Sequence, residues 1–461
     1  MSVSGAASGA AESSPGYAPP TLQQAIDHAG SPVALLWKLG AAPWTPPVLE
    51  PEYVSWRTEQ SAWSDGVALS DLSHHMSDLF IQGPDAPRLL ADFSANDYES
   101  FAIGQAKQFI PVTERGYIVT DGILMRDGPE QFTLSGVPAS QSWVRYHGER
   151  GAYDVSFESD PDSEFRPGDP VLFRYQIQGP RALELVERVF GGPLAAVKFF
   201  HSTPVTLGGR SFRAFRHGMA GQAGYEFIGD WNDGEYVKQT LLEHGESLGL
   251  VLVGALAYST NGIESGWIPT PTPAIYTDPS LRDYRESLSM FSYEGQKPLH
   301  GSFFSEDIED YYCSPWELGY GRSIRFNHDF LGRDALEKSE DAVTRQKVTL
   351  VLDPDEVRRP FGASPEFLLS YGRYRVEAGS ELVGMTYYTG FIDRVGTILS
   401  LALVDSPVAK PGTEVTLVWG EHPGPGTDPD ADLDHVRFTA TVRPAPYNEY
   451  ARTQYRANPS A

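Results

Sequence analysis

Residues 254–269 read GALAYSTNGIESGWIP, where small side chains (Gly254, Ala255, Ala257, Ser259, Gly262) surround one phenol, Tyr258, with the indole of Trp267 close behind. So many small residues predict a helix packed very closely against a neighbour. A phenol in that setting reads first as a core aromatic with its hydroxyl tied off. Its ordinary pKa of about 10 keeps it protonated at neutral pH, able to give a proton to a departing oxygen of similar basicity. Residues 216–226, RHGMAGQAGYE, set Gly218, Gly221 and Gly224 at even spacing and end on Glu226. With no helix expected after them and no acidic ribose ligand, these glycines do not make a dinucleotide loop. They predict a backbone lying close to a flat ligand, with the Glu226 carboxylate just beyond. His74 and His75 are adjacent, so their side chains diverge on a strand or a helix and read as structural or substrate-contacting, not as a metal pair. The sequence carries no G-x-S-x-G elbow, no phosphate-cradling G-x-x-x-x-G-K and no H-E-x-x-H. Residue chemistry alone reaches a soluble α+β enzyme with a ligand cleft.

The elements that must position these groups follow from patterning. IQGPDAPRLL starts at Ile81 and IQGPRALELV at Ile177; each is an apolar strand end, then Gly-Pro, then a helical run whose first turn accepts Pro. Two such units predict a duplicated α+β framework. Between them, residues 112–136 read as three strands, the first two near 117–119 and 123–125, turned by Thr120-Asp121-Gly122. From Arg345 onward KVTLVL, GMTYYTGFI, GTILSLALV, TEVTLVW and HVRFTATV predict a separate antiparallel domain, a small barrel or jelly roll. Residues 269–314 have little periodicity and many aromatics, and are expected to wrap the surface or cover a cleft. The expected division is a disordered tail over 1–20, a ligand-binding α+β region of two interleaved subdomains over 21–344, and a β domain over 345–461.

Bulk properties narrow the partners. The 461 residues include 36 Lys+Arg against 61 Asp+Glu, a net charge of -25 that opposes nucleic acid and anionic membranes. Acidic runs at 305–310 and 427–434 read as solvated faces. Cys313 is the single cysteine, so neither an intrachain disulfide nor a multi-cysteine metal site is available. No apolar run reaches membrane-spanning length, and the first twenty residues lack the features of a signal peptide. A cytoplasmic protein, monomer or homodimer, acting on a small molecule without a metal is expected.

The order of motifs from Asp71 to Tyr447 resembles the glycine-cleavage T-protein (aminomethyltransferase) superfamily, which binds tetrahydrofolate. LSDLSHHM, TERGYIVTDGILMR, IQGPRA, RHGMAGQAGYE, PWELGYGRSIRFNHDFLGRDAL and VRPAPYNEYAR carry the likeness. Where that family has two acidic residues in a turn, this chain keeps only Asp121, after Thr120; where it has a tyrosine, this chain has Met219; and Tyr258 stands where it has arginine. WRTEQSAW, HHMSDL, AKQFIPVT, RHGMAG, ESGWIP, PAIYT and IEDYY are similar to the tetrahydrofolate-dependent aryl O-demethylase branch, which removes methyl groups from methoxybenzoates such as vanillate and syringate.

That resemblance implies the three-domain T-protein-like fold and a set of roles. Tyr258 would be the proton donor and His75 would hydrogen-bond the ring oxygens of the substrate. Trp44, Pro46, Leu72, Ser135 and Val137 would line the substrate, with Thr133, Ser135 and Val137 on one face of a strand over 131–137. Glu226 would accept hydrogen bonds from the pterin, Gln108 and Asp121 would line the folate, and Trp267 would contact its flat rings. For Trp267 the alternative is plain core packing; for Asp121 it is turn capping. Vanillate-acting relatives are expected to carry arginine, glutamine and tyrosine at the positions of Val137, Leu72 and Pro46, so their loss here favours syringate over vanillate, with 3-O-methylgallate as a further substrate. Two other readings are a folate-dependent demethylase or aminomethyltransferase of a non-aromatic substrate and a non-catalytic folate-binding maturation protein.

Overall fold

The computed structural model describes residues 18–46, 48–269 and 271–457. Residues 1–17 of the expected tail lie outside the described residues. In chain order the strands begin with β1 (Val67–Asp71), β2 (Ser77–Gln82), β3 (Ala106–Phe109), β4 (Gly122–Arg126), β5 (Gln131–Gly136) and β6 (Ser156–Asp160). They continue with β7 (Leu172–Gln178), β8 (Ser202–Leu207), β9 (Arg210–Phe215), β10 (Gly224–Asp230) and β11 (Leu250–Val253). The last are β12 (Arg345–Leu352), β13 (Leu369–Ser370), β14 (Arg375–Ala378), β15 (Glu381–Ile392), β16 (Thr397–Asp405), β17 (Glu414–Trp419) and β18 (Val436–Pro444).

Two sheets share the first part of the chain. One has five strands in the order β3-β4-β5-β2-β6, the other six in the order β11-β1-β7-β10-β9-β8. The chain enters the six-stranded sheet with β1, leaves to build the five-stranded one, and returns with β7. Only β1 and β11 in these sheets run parallel. The IQGP echo marks corresponding points: β2 and β7 each end in Ile-Gln, followed by Gly83 (φ +144) and Gly179 (φ +132). A Cβ would stand 2.2 Å from the Asp154 carbonyl at the first and 2.4 Å from that of Gly66 at the second, so both positions require glycine. The helices Ala86–Asp92 and Ala182–Phe190 follow; Pro84 and Pro180 stand just before the N-caps, and in the first helix it is Pro87 that occupies the first turn.

The final strands close on themselves. The order β15-β14-β17-β18-β12-β16 returns to β15, giving a six-stranded antiparallel barrel to which β13 adds a short edge. Alternation builds it: Val348, Leu350 and Leu352 of β12 pack with Ala402 and Val404 of β16 and Ala440 and Val442 of β18. The opposite face of β16, with Leu399, Leu401 and Leu403, packs on residues 274–318. Of the two expectations for this stretch, a surface wrap or a cleft cover, the surface wrap does not hold. Ile275, Tyr276, Tyr284, Tyr311 and Tyr312 are buried in the same core, and apolar volume without regular spacing places them there.

The hairpin expected across Thr120-Asp121-Gly122 does not form. Residues 117–119 belong to no strand, and β4 pairs instead with β3, Phe109 opposite Gly122. The tight turn lies earlier, where Gly116 (φ +78) donates to the Thr113 carbonyl at 2.9 Å. The small-residue run forms two short helices, Ala255–Tyr258 and Asn261–Ser265, where the sequence suggested one. Their packing is as close as the small residues imply, since a Cβ on Gly254 would meet the Pro51 carbonyl at 2.6 Å. Among the described residues, no helix is long and apolar enough to cross a membrane.

Candidate active site

Strand β7 is buried on both faces, and its residues alternate. Phe173, Tyr175 and Ile177 enter an apolar core with Val67, Leu69 and Phe227, so Arg174, Gln176 and Gln178 form a polar row on the other face. Arg174 is 5% exposed. Its Nη1 donates to Glu226 Oε1 at 2.8 Å, and its Nη2 donates to both Asp78 oxygens, at 2.9 and 3.0 Å, and to Ser135 Oγ at 2.7 Å. Asp78 and Ser135 face each other on β2 and β5, while Glu226 lies opposite Gln176 on β10. One guanidinium therefore joins the two sheets. Burial disfavours its charge, but the two carboxylates hold its pKa above the ordinary value. Ser135, expected to face substrate, is committed to this network, donating to Asp78 as well.

The row continues into the glycine-rich loop. Gln176 Nε2 approaches Glu226 Oε2 at 3.4 Å; its Oε1 accepts from Gln178 Nε2 at 2.6 Å and from the Met219 amide at 3.1 Å. Gln178 Oε1 accepts from the Ala220 amide at 3.0 Å, and Tyr455 bonds both backbone groups of Gly218. The three glycines do not open the backbone to a ligand, as their spacing suggests. A Cβ on Gly218 would meet Gln178 at 2.3 Å, on Gly221 Ala451 at 2.7 Å, and on Gly224 the Ile177 carbonyl at 1.8 Å. Their close approach is to the protein itself.

Tyr258 ends its helix at 6% exposure, and its hydroxyl donates to Met219 Sδ at 3.1 Å. Its ring meets that of His75 edge-on, centroids 4.5 Å apart, and Trp44 lies 6.2 Å from His75. Both ring nitrogens of His75 are buried without a hydrogen-bond partner, and burial lowers its pKa to about 3, so it is neutral. Leu72 shares an apolar cluster with Tyr258, Trp56 and Trp63. Burial first, and then the Glu226 charge, raise the Tyr258 phenol above its ordinary value, so the match at about 10 read from the sequence does not describe the closed site. Pro46 is buried. Val137 stands apart from the expected row: β5 ends at Gly136, whose φ of +144 breaks the alternation, and Val137 caps the helix Pro138–Arg150. Thr133 turns its hydroxyl to Asp127, at 2.6 Å. His74 diverges from His75, as adjacency requires, to Ser163 at 3.0 Å.

A second cluster forms around Asp121. Its Oδ2 accepts from Trp267 Nε1 at 2.9 Å, from the Tyr320 hydroxyl at 2.6 Å and from Gln108. Gln108, Asp121 and Trp267 are thus brought together, and Tyr320 joins them from the PWELGYGRS stretch without a spacing signal. Asp121 caps no turn; with the hairpin absent, its carboxylate faces inward. Burial raises its pKa against the three donors, and Oδ1 is buried with no partner. An unpaired buried acceptor costs about 1–3 kcal/mol. Asp121 Oδ1 therefore keeps an acceptor site open in this cluster, whereas both Glu226 oxygens already have partners, in Arg174 and Gln176. Arg174 could have been found in the sequence, because Arg174, Gln176 and Gln178 interrupt an otherwise apolar strand at a period of two.

Comparison with known proteins follows the same lines. The family model described as the GCVT N-terminal domain matches residues 42–272. A syringate O-demethylase of Sphingobium sp. is 36% identical over 94% of this chain and 97% of its own. A sesamin methylene transferase of Sinomonas sp. is 28% identical over 77% and 82% of the two chains. The crystal structure of the glycine cleavage system aminomethyltransferase T from Bartonella henselae shares the fold, with a TM-score of 0.61 at 17% identity over 92% of this chain and 96% of that one. The two sheets, the closed barrel and the near full-length identity agree: the chain belongs to the glycine-cleavage T-protein (aminomethyltransferase) family of enzymes, on the branch that holds the syringate O-demethylase.

Proposed function

We propose that the protein is a tetrahydrofolate-dependent O-demethylase of a methoxybenzoate, with syringate preferred and vanillate or 3-O-methylgallate as further substrates. The observation that carries this reading is the Tyr258 hydroxyl, resting on a thioether beside a neutral histidine whose two nitrogens have no partner. The names of the syringate and sesamin relatives support it.

Tetrahydrofolate, when bound, supplies N5, an amine nucleophile that accepts the methyl group. Glu226 and Asp121 accept hydrogen bonds from the pterin, with Gln108 and Trp267 alongside. Tyr258 donates its proton to the ether oxygen as negative charge forms there. Met219 Sδ, a weak acceptor, yields easily to that oxygen. A phenolate leaving group buried beside Tyr258 is raised by the same desolvation, so the difference that governs transfer stays small although Tyr258 itself is raised. His75 bonds a neighbouring ring oxygen, and Leu72 receives the second methoxy group. Overall the methyl ether and the N5–H of the acceptor would become a phenol and an N5-methyl group, so no proton is consumed and Tyr258 ends the cycle protonated. The test is a panel of methoxybenzoates, and one methylenedioxyarene, incubated with tetrahydrofolate and read by product mass. Syringate demethylated faster than vanillate is expected; turnover of the methylenedioxyarene alone would replace this reading.

A further inference from the structure

The helix Trp56–Asp65 carries two polar side chains that no surface role explains: Glu59 is 0% exposed and Gln60 is 1% exposed. Both reach the segment that holds Tyr258. Glu59 Oε2 accepts from the Gly254 amide at 2.9 Å, and Gly254 is the N-cap of the helix Ala255–Tyr258. Gln60 Nε2 donates to Thr260 Oγ1 at 2.9 Å and to the Phe391 carbonyl at 3.2 Å, while its Oε1 accepts from the Asp393 amide at 2.7 Å. One helix thus brackets Tyr258 from both ends and ties it to the end of barrel strand β15.

Glu59 also holds the chain that leads from Trp44 and Pro46. Its Oε1 accepts from the Tyr53 and Val54 amides, at 2.6 and 2.8 Å. The same stretch satisfies the next two amides of the Tyr258 helix, Ala255 to the Glu50 carbonyl at 2.9 Å and Leu256 to that of Pro51 at 3.2 Å. A four-residue helix has no cooperativity of its own to fix its position. Its place is set by these contacts, and the one Glu59 carboxylate bonds both the N-cap of the helix and the Tyr53 and Val54 amides of the stretch. We propose that Glu59 is a positioning residue that fixes the Tyr258 hydroxyl relative to the loop carrying Trp44 and Pro46, so that the proton donor and the substrate wall move as one unit. This rests on the O-demethylation reading above.

The variant is Glu59→Gln, which keeps the volume and turns one acceptor into a donor facing a backbone N–H. A donor displaced by a fraction of an ångström loses much of its worth. Turnover of syringate per folded enzyme should fall by about 10–100-fold, with KM for tetrahydrofolate changed less than about threefold. The distinguishing readout is the leaving group: the loss should shrink on methoxyarenes whose phenols are more acidic, as it also should for Tyr258→Phe. Combined with Tyr258→Phe, Glu59→Gln should add less than about threefold. A structural role alone would lower the folded fraction equally for all substrates, and normal turnover of the folded variant, or a loss independent of the leaving group, overturns the proposal. If Glu59→Gln does not fold, Glu59→Asp decides in its place, its shorter carboxylate unable to reach the Gly254 amide and the Tyr53 and Val54 amides together. A smaller loss of the same leaving-group dependence is expected, and unchanged turnover contradicts the proposal. Wild-type enzyme inactive on every methoxyarene would instead remove the O-demethylation reading itself.

Discussion

On the proposed function Tyr258 and Glu226 would serve different parts of the reaction, and one substitution at each separates them. Tyr258→Phe keeps the edge-on packing with His75 but removes the proton. Turnover should fall by roughly 10²–10⁴-fold, the usual contribution of general acid catalysis, with folate binding nearly unchanged. A Phe variant of near-normal turnover would make Tyr258 a core residue. Glu226→Gln should weaken tetrahydrofolate binding about tenfold or more, since a hydrogen bond to a charged group contributes about 1.5–3 kcal/mol. The geometry adds a cost in stability, because Glu226 also pairs with Arg174. Arg174 keeps Asp78, so the variant should fold with a lowered melting temperature. Unchanged folate affinity in a titration would move the pterin away from Glu226.

At the scale of elements, the proposed function makes the segment joining β1 to β2 the one that would set substrate choice. It places Leu72 in the apolar cluster with Tyr258, where a second methoxy group is favoured and an unpaired amide is not. Leu72→Gln should shift the ratio of kcat/KM from syringate towards vanillate; an unchanged ratio, or a wild type that prefers vanillate, would contradict this. Gly224 tests the close approach of β10 to β7. Gly224→Ala, with the Ile177 carbonyl 1.8 Å from the new Cβ, should cost roughly 2–4 kcal/mol in urea unfolding, against about 1 for Gly209→Ala, which meets nothing within 4 Å. A similar cost at both would show that the loop relaxes. The strands of the barrel and the two IQGP units were readable because alternation and glycine punctuation are local. The hairpin at Asp121 was misplaced because the same Asp-Gly signal serves a turn or an inward carboxylate, and only Trp267 and Tyr320, far along the chain, decide between them. Tyr258 and Trp267 stood out by residue type. Arg174 carries a local signal only as part of a polar row at a period of two, and Glu59 carries none, because the partners of both lie on other elements.

For the molecule as a whole, four desolvated histidines, His74 among them, weaken the fold towards acid. Burial lowers His75 and His217 to about 3 and His147 to about 4. Each folded value lies below the unfolded value of about 6.5, so the unfolded chain binds more protons as pH falls. Their contribution to stability is intact above about pH 6.5 and is lost progressively towards pH 3–4, at up to about 1.4 kcal/mol per pH unit for each. The buried carboxyls of Asp78, Asp121 and Glu294, raised by desolvation, act in the opposite direction at lower pH. The histidine effect is therefore read above the carboxylate range, as a melting temperature that declines from pH 7 to pH 5 less steeply in His147→Phe than in wild type; equal slopes would contradict it. The net charge of -25 leaves the site dependent on local groups to hold an acidic substrate. The most direct measurement is single-turnover incubation of the enzyme with syringate carrying a labelled methoxy carbon and with tetrahydrofolate, followed by mass spectrometry. The account predicts the label in 5-methyltetrahydrofolate together with a singly demethylated arene, both lost in Tyr258→Phe. Label that stays on the arene, or a Phe variant that transfers it as fast as wild type, would contradict it.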